Sequence, residues 1–306
     1  MSYYSSDHSK LLKRAQYLSV GTAILICVMK AYSWIATDSI AIFASLIDSL
    51  LDVSSSFINM LALRLALVPP DHNHRFGHNK IEDLAVFGQS IFITISGLFA
   101  LYAAARHIIS VDKIEHSEIG IASMVICCAL TVMLVLYQSF VIDKTHSHLI
   151  KADKLHYTSD LLTNVLVIIS LYFSDMFIAI DAIFGMLIAC YVIYGSYGLL
   201  VKALRNLVDE EFSDAERLKI IDIISQYKEV LGIHEMKTRY AGNKPFIQFH
   251  IEMDGDMTLT DAHHVSDKIM TSILEEFDGA EVTIHQDPAG LEPDNPYTEI
   301  LSNRKI

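Results

Sequence analysis

The sequence predicts an α-helical membrane protein with six transmembrane helices followed by a small cytoplasmic α+β domain, ferredoxin-like and ordered αββαβ. Three observations predict it. The 306 residues are 52% hydrophobic with a mean hydropathy of +0.36, too apolar for a soluble chain of this length. The formal net charge of −13 is distributed unevenly: up to Val208, 14 Lys and Arg stand against 15 Asp and Glu, whereas from Asp209 onward 9 stand against 21. Long apolar runs also give way, from Ser213, to the short periods of a soluble domain. The expected organisation is therefore a membrane domain over 1–208, a cytoplasmic domain over 209–290 and a tail over 291–306. No basic patch is present, which excludes a nucleic-acid partner. Cys27, Cys127, Cys128 and Cys190 lie in apolar runs without CxxC spacing, so they read as small buried hydrophobes.

Each span follows from its run. Apolar stretches fall near Leu18–Ile35, Ile40–Val68, Leu84–Ile109, Ile119–Ile142, Leu149–Phe173 and Ile178–Leu200. Most approach the ~20 residues that cross ~30 Å of hydrocarbon as a helix. The polar start with Lys10, Lys13 and Arg14 has no small-residue cleavage pattern after it. Those three cations, together with Arg64, Arg75, Lys80, Lys144, Lys151, Lys154, Lys202 and Arg205, fall on one side. Only Arg106 and Lys113 fall on the other. The positive-inside bias puts both termini in the cytoplasm.

The cytoplasmic elements are equally readable. Ser213 is an N-cap with a capping-box Glu216, followed by Leu218, Ile221 and Ile224 at helical spacing. IHEMKTRYA and KPFIQFHIEM read as strands joined at Gly242-Asn243. In the second, Ile247, Phe249, Ile251 and Met253 share one face, and Gln248, His250 and Glu252 share the other. A helix over Thr260–Phe277 and the strand EVTIHQDP complete a layer of helices on a three-stranded sheet.

The informative residues are ionisable groups where lipid forbids them. Asp48 and Asp52 stand at i and i+4 in the second span, and His156 and Asp160 at i and i+4 in the fifth, so each helix offers two ligands on one stripe. A carboxylate at mid-membrane costs ~2.5–3.5 kcal/mol on insertion scales, so these groups need one another or a cation. Two facing pairs make an oxygen-and-nitrogen shell suited to tetrahedral Zn(II), with a metal-free proton relay as the competing reading. The loop PPDHNHRFGHNKIED crowds Asp71, His74 and His78 together, either as metal ligands or as a polar surface. In the last domain His234, His250, His263 and His285 read singly as surface histidines. Taken with Asp287 as a bridging carboxylate, they suit one or two Zn(II) ions. His234-Glu235 begins like HExxH, but residue 238 is Thr, and neither GxSxG nor a Walker loop occurs. No enzyme is expected, and no transport powered by ATP within this chain.

TDSIAIFASLIDSLLD, DHNHRFGHNKIEDLA, ADKLHYTSDLLTN, LVDEEFSDAE and VTIHQDP together resemble the cation diffusion facilitator family, in its bacterial zinc and iron efflux branch, over nearly the whole length. The resemblance implies a homodimeric metal/proton antiporter of the inner membrane, moving Zn and also Cd or Fe, with membrane lipid around it and protons as counter-substrate. It further implies a transport site of Asp48, Asp52, His156 and Asp160, and a loop site of Asp71, His74 and His78. A binuclear cytoplasmic site of His234, His250, His263, His285 and bridging Asp287 is implied as well, with a salt bridge between Lys80 and Asp209. A membrane-anchored metal sensor is the alternative.

Overall fold

The computed structural model describes residues 6–37, 40–107, 118–172 and 178–290; the expected tail over 291–306 lies outside them. The chain divides into two compact units, Met1–Leu204 and Arg205–Ile306. Six long helices come first: α1 (Ser6–Thr37), α2 (Ile40–Ala66), α3 (Lys80–His107), α4 (Glu118–Thr145), α5 (His148–Tyr172) and α6 (Ile178–Leu207). The second unit holds α7 (Asp214–Ile224), β1 (Gly232–Ala241), β2 (Lys244–Met253), α8 (Leu259–Glu276) and β3 (Glu281–Pro288). That is the expected αββαβ order.

Among the described residues, four helices are long and apolar enough to cross a membrane: His8–Ile35, Lys80–Tyr102, Met124–Thr145 and Ile183–Leu207. The other two long helices, α2 and α5, are the ones that carry the acidic and histidine pairs. Their apolar runs are broken by these polar residues, of which His156 is buried, Asp52 and Asp160 are half-buried and Asp48 is exposed. Helix α1 packs on α2 and α4, α4 on α5, and α3 on both α2 and α5. Leu12, Leu63, Val141, Leu149 and Ile150 are buried between them, while Tyr32, Ile35, Phe99 and Tyr194 turn outward at 72–80% exposure. An apolar exterior of this kind needs hydrocarbon around it. Helix α6 meets α3 where Thr94 Oγ1 and Ser196 Oγ lie 2.9 Å apart. A Cβ on Gly97 would fall 2.8 Å from Ile193 Cγ1, so glycine permits this approach. Gly195 likewise faces Leu155, whereas Gly198 has open space.

The register of α5 is set from outside the helix. The Glu82 carboxylate, buried at the start of α3, accepts from Ser147 Oγ at 2.7 Å and from the Leu149 amide at 3.4 Å. An anion at that position satisfies donors left open at the first turn of α5 and complements its dipole.

In the second unit the sheet runs β1-β2-β3. β1 and β2 are antiparallel, turning at Gly242 with φ +59°. β2 and β3 are parallel, with α8 as the crossover between them. Ile247, Phe249, Ile251 and Met253 form the core with Ile220, Ile224, Ile269 and Ile273 from the two helices. Ser213 caps α7 with the full capping box to Glu216. One expectation needs correction: Leu218 is 36% exposed, and the inward stripe of α7 is Ile220, Ile221 and Ile224. Helical spacing from Ile221 reaches both Leu218 and Ile224, and the adjacent Ile220 decides which flank faces the sheet. Ile220→Ala should therefore destabilise this unit by about 2–5 kcal/mol. Leu218→Ala should cost well under half of that, with hydrogen exchange of the β2 amides in the full chain as the readout.

Candidate metal centres

Three groups of acidic and histidine side chains converge among the described residues. Each is built by a different local device.

The first lies in the helical unit. His156 Nε2 stands 3.1 Å from Asp52 Oδ1 and 3.7 Å from Asp160 Oδ2. The i,i+4 stripe of α5 and the facing stripe of α2 thus aim three ligand atoms at one point. His156 is only 8% exposed, and Phe92 presents its ring edge-on at 6.0 Å, which restricts the imidazole's freedom to turn away. Asp48, one turn from Asp52, lines the same 660 Å³ cavity but stands outside the tight cluster of three. The cavity therefore holds all four residues expected of the intramembrane site, three of them in mutual contact range.

Two features of this region were missed from the sequence. Lys30 of α1 lines the cavity as well. One turn before His156, Asp153 is wholly buried. It accepts from Ser19 Oγ at 2.7 Å, Gln138 Nε2 at 2.8 Å and Asn59 Nδ2 at 3.2 Å. Tyr157 adds a bond of 2.7 Å to Ser56 Oγ and donates to the Ser19 carbonyl at 3.2 Å. Helices α1, α2, α4 and α5 are thereby tied by polar bonds immediately beside the cluster. The signal was present: Asp153, His156 and Asp160 are spaced 3 and 4 apart on one stripe, and Lys30 is a lone charge in an apolar run.

The second group is the loop between α2 and α3. Asp71 Oδ1 accepts from the backbone amides of His74 at 2.7 Å and Asn73 at 2.9 Å, and these bonds, led by that of His74, hold its carboxyl below the usual carboxylate range. His74 Nδ1 lies 3.2 Å from Asp71 Oδ1, and His78 Nε2 3.4 Å from Oδ2. Gly77 turns the chain at φ +86°, a conformation glycine adopts freely. His78 Nδ1 faces the Val68 carbonyl at 3.3 Å. A carbonyl only accepts, so Nδ1 is the donor in that contact, which fixes the ring with Nε2 towards Asp71.

The third group is written in sheet register. His234 pairs with His250 across β1 and β2, and His250 with His285 across β2 and β3, so three imidazoles stand in a row with ring centroids 5.0 and 4.5 Å apart. A bulge follows His234, with Glu235 at φ +47°; Ile233 and His234 before it point to opposite faces of the sheet, and both are buried. Asp287 divides its oxygens: Oδ2 is 2.9 Å from His250 Nδ1 and 3.3 Å from His234 Nε2, and Oδ1 is 3.1 Å from His285 Nε2. Although His234 Nε2 is close to Asp287, neither ring nitrogen of this buried residue makes a hydrogen bond of good geometry. A buried imidazole left so is costly unless another electrophile takes its lone pair, and two carboxylate oxygens serving separate histidines suit a bridge between two ions. His263 stands apart from this group, 64% exposed and 3.3 Å from Asp267 on its own helix. Asp209 pairs with Arg239 at 3.1 Å.

An apolar bundle with carboxylates and an imidazole on the wall of a cavity, in a chain whose second unit carries a further histidine–aspartate cluster, has the build of a membrane transporter of cations. Known proteins agree. The family model for the cation efflux transmembrane domain matches residues 17–208, and that for the cation efflux protein cytoplasmic domain matches 212–289. The chain is 50% identical over 297 residues to Protein p34 of Rickettsia rickettsii, covering 97% of this chain and 99% of that one. It is 36% identical over 299 residues to the cation-efflux pump FieF of Escherichia coli, covering 97% and 100%. Among solved structures it is similar to the metal-bound C-terminal domain of the CzcD transporter from Thermotoga maritima, at 35% identity, a TM-score of 0.25, and coverage of 26% of this chain and 93% of that one. The chain belongs to the cation efflux family, which is the cation diffusion facilitator family the motifs resemble.

If the Asp287 group holds zinc, Asp287→Ala lowers the affinity of this site by at least the roughly 10–100-fold typical of disturbing a metal's supporting shell. Zinc titration of the full chain measures it. Unchanged binding in the variant would show that the histidine row is structural.

Proposed function

We propose that the chain exports divalent metal cations across the bacterial inner membrane by proton antiport. It takes Zn(II) as its favoured cargo, with Cd(II) and Fe(II) also accepted. The reading rests above all on one observation: Asp52, His156 and Asp160 converge inside a cavity of the helical unit in a chain of the cation efflux family. Asp48, on the wall of the same cavity, is the fourth ligand of the shell in this reading.

The exchange follows from the ligand chemistry. Without cargo, the contact of 3.1 Å between His156 Nε2 and Asp52 Oδ1 is held by a proton. A cation needs the Nε2 lone pair and ionised carboxylates, so its arrival expels that proton and its departure requires one to return. Imidazole with carboxylates favours Zn(II) and Cd(II) over harder Mn(II). A shell of four protein ligands leaves no open position for a metal-activated water, which argues against hydrolysis.

In this reading α1 to α6 all span the membrane, both termini lie in the cytoplasm, and two copies form a homodimer. The Asp287 cluster holds zinc at the cytoplasmic surface, where it offsets repulsion between two acidic domains. The loop site of Asp71, His74 and His78 delivers or senses the cation. The division of oxygens at Asp287 also fits a membrane-anchored metal sensor, a role for which the cavity would be superfluous.

Metal uptake into sealed vesicles under an imposed pH gradient separates the two. Wild type should accumulate zinc and cadmium with the gradient and stop when it is collapsed. Asp52→Ala should fall to the level of protein-free vesicles. Undiminished uptake by Asp52→Ala would contradict the transport reading.

A further inference from the structure

The cavity that holds the transport cluster also contains a cation of the protein's own. Ala23, Ile26 and Lys30 of α1 all line it. Their spacing of 3 and 4 residues defines one helical stripe, and Ala23 and Ile26 are buried at 2% and 9% exposure. Lys30 is therefore on the inward face of α1, half-buried. It shares the wall of that cavity with Asp48, Asp52 and Asp160. A lysine here is unexpected on simple grounds, since a positive charge repels the cation that the neighbouring carboxylates attract. An ammonium inside an apolar bundle is also expensive, and such residues mark function by default.

We infer that Lys30 is the counter-charge that matches the transport cavity to a divalent cation and keeps its grip loose enough for release. This rests on the export reading above and adds a residue outside the ligand shell. The argument is one of charge. Asp48, Asp52 and Asp160 carry three negative charges when ionised, and Lys30 carries one positive charge. The wall is left with two, which one divalent ion cancels when neutral His156 completes its shell. Without Lys30, the loaded cavity would keep one uncompensated negative charge in a medium of low dielectric, and a bound cation would be held by the whole of it. A site that binds too tightly is a poor transport site, because the cation must leave at every turnover. Lys30 does not touch the cargo; it tunes affinity through the field, as a positioning charge.

The test compares wild type, Lys30→Met, Lys30→Gln and Lys30→Arg as full chains. Cadmium binding at the membrane site is taken as the part of binding that each protein loses when Asp52→Asn is added. Uptake is then measured in vesicles at saturating cadmium. The neutral variants should bind cadmium more tightly than wild type, on the order of tenfold, yet turn over more slowly, while Lys30→Arg keeps wild-type values for both. Equal or weaker cadmium binding in both neutral variants overturns the inference. If wild type itself shows neither Asp52-dependent binding nor uptake, the export reading falls. If wild type shows both and the neutral variants match it, only the role of Lys30 falls.

Discussion

A carboxylate inside an apolar helix bundle must be surrounded by donors, paired with a positive charge, or protonated, and the interior of this protein is organised around that requirement. Along one stripe of α5 the requirement is met in two ways. Asp153 is enclosed by the hydroxyl of Ser19 and the amides of Asn59 and Gln138, which satisfy it permanently with neutral groups. One and two turns on, His156 and Asp160 meet Asp52 across a cavity, where the carboxylates pair with an imidazole instead, the exchangeable arrangement that the proposed transport requires. The fixed network ties four helices beside the exchangeable one. Glu82 anchors the start of the same helix. An exchange site needs such support, because ligands that can release a cation cannot also be the groups that hold the bundle together.

The same pairing of carboxylate with imidazole recurs in three settings that differ in burial. In the α2–α3 loop Asp71 and His74 are about half exposed, so water competes for every ligand atom. In the sheet, Asp287 and His234 are mostly enclosed, at 17% and 2% exposure, which suits a resident ion. In the bundle, His156 is nearly as enclosed but opens onto a cavity of 660 Å³. A ligand set that is similar in composition thus stands at three different degrees of enclosure.

The ligand pairs were legible because spacing alone determines direction: i,i+4 on α2 and on α5 gives a stripe, and HQD on β3 gives alternating faces. Strands and turns in the second unit were legible for the same reason, with Ile247, Phe249, Ile251 and Met253 buried as their alternation required. What periodicity does not contain is which flank of a short helix is inward, and so Leu218 was preferred over Ile220. Nor does it contain partners from distant segments. The burial of His234, the enclosure of Asp153 by α1, α2 and α4, and the entry of Lys30 into the cavity all depend on tertiary packing. His263 shows the reverse case. Residue type suggested a ligand, yet its helix directs it to Asp267, away from the histidine row.

The account depends most on one point in space, that where Asp52, His156 and Asp160 meet. A structure of the full chain in lipid, loaded with cadmium or zinc and recorded at the metal's absorption edge, locates the ions directly. The account predicts an anomalous peak within bonding distance of His156 Nε2 and the Asp52 and Asp160 carboxylates, absent from Asp52→Ala. Peaks confined to the Asp71 and Asp287 clusters, with the cavity free of metal at saturating cation, would contradict it.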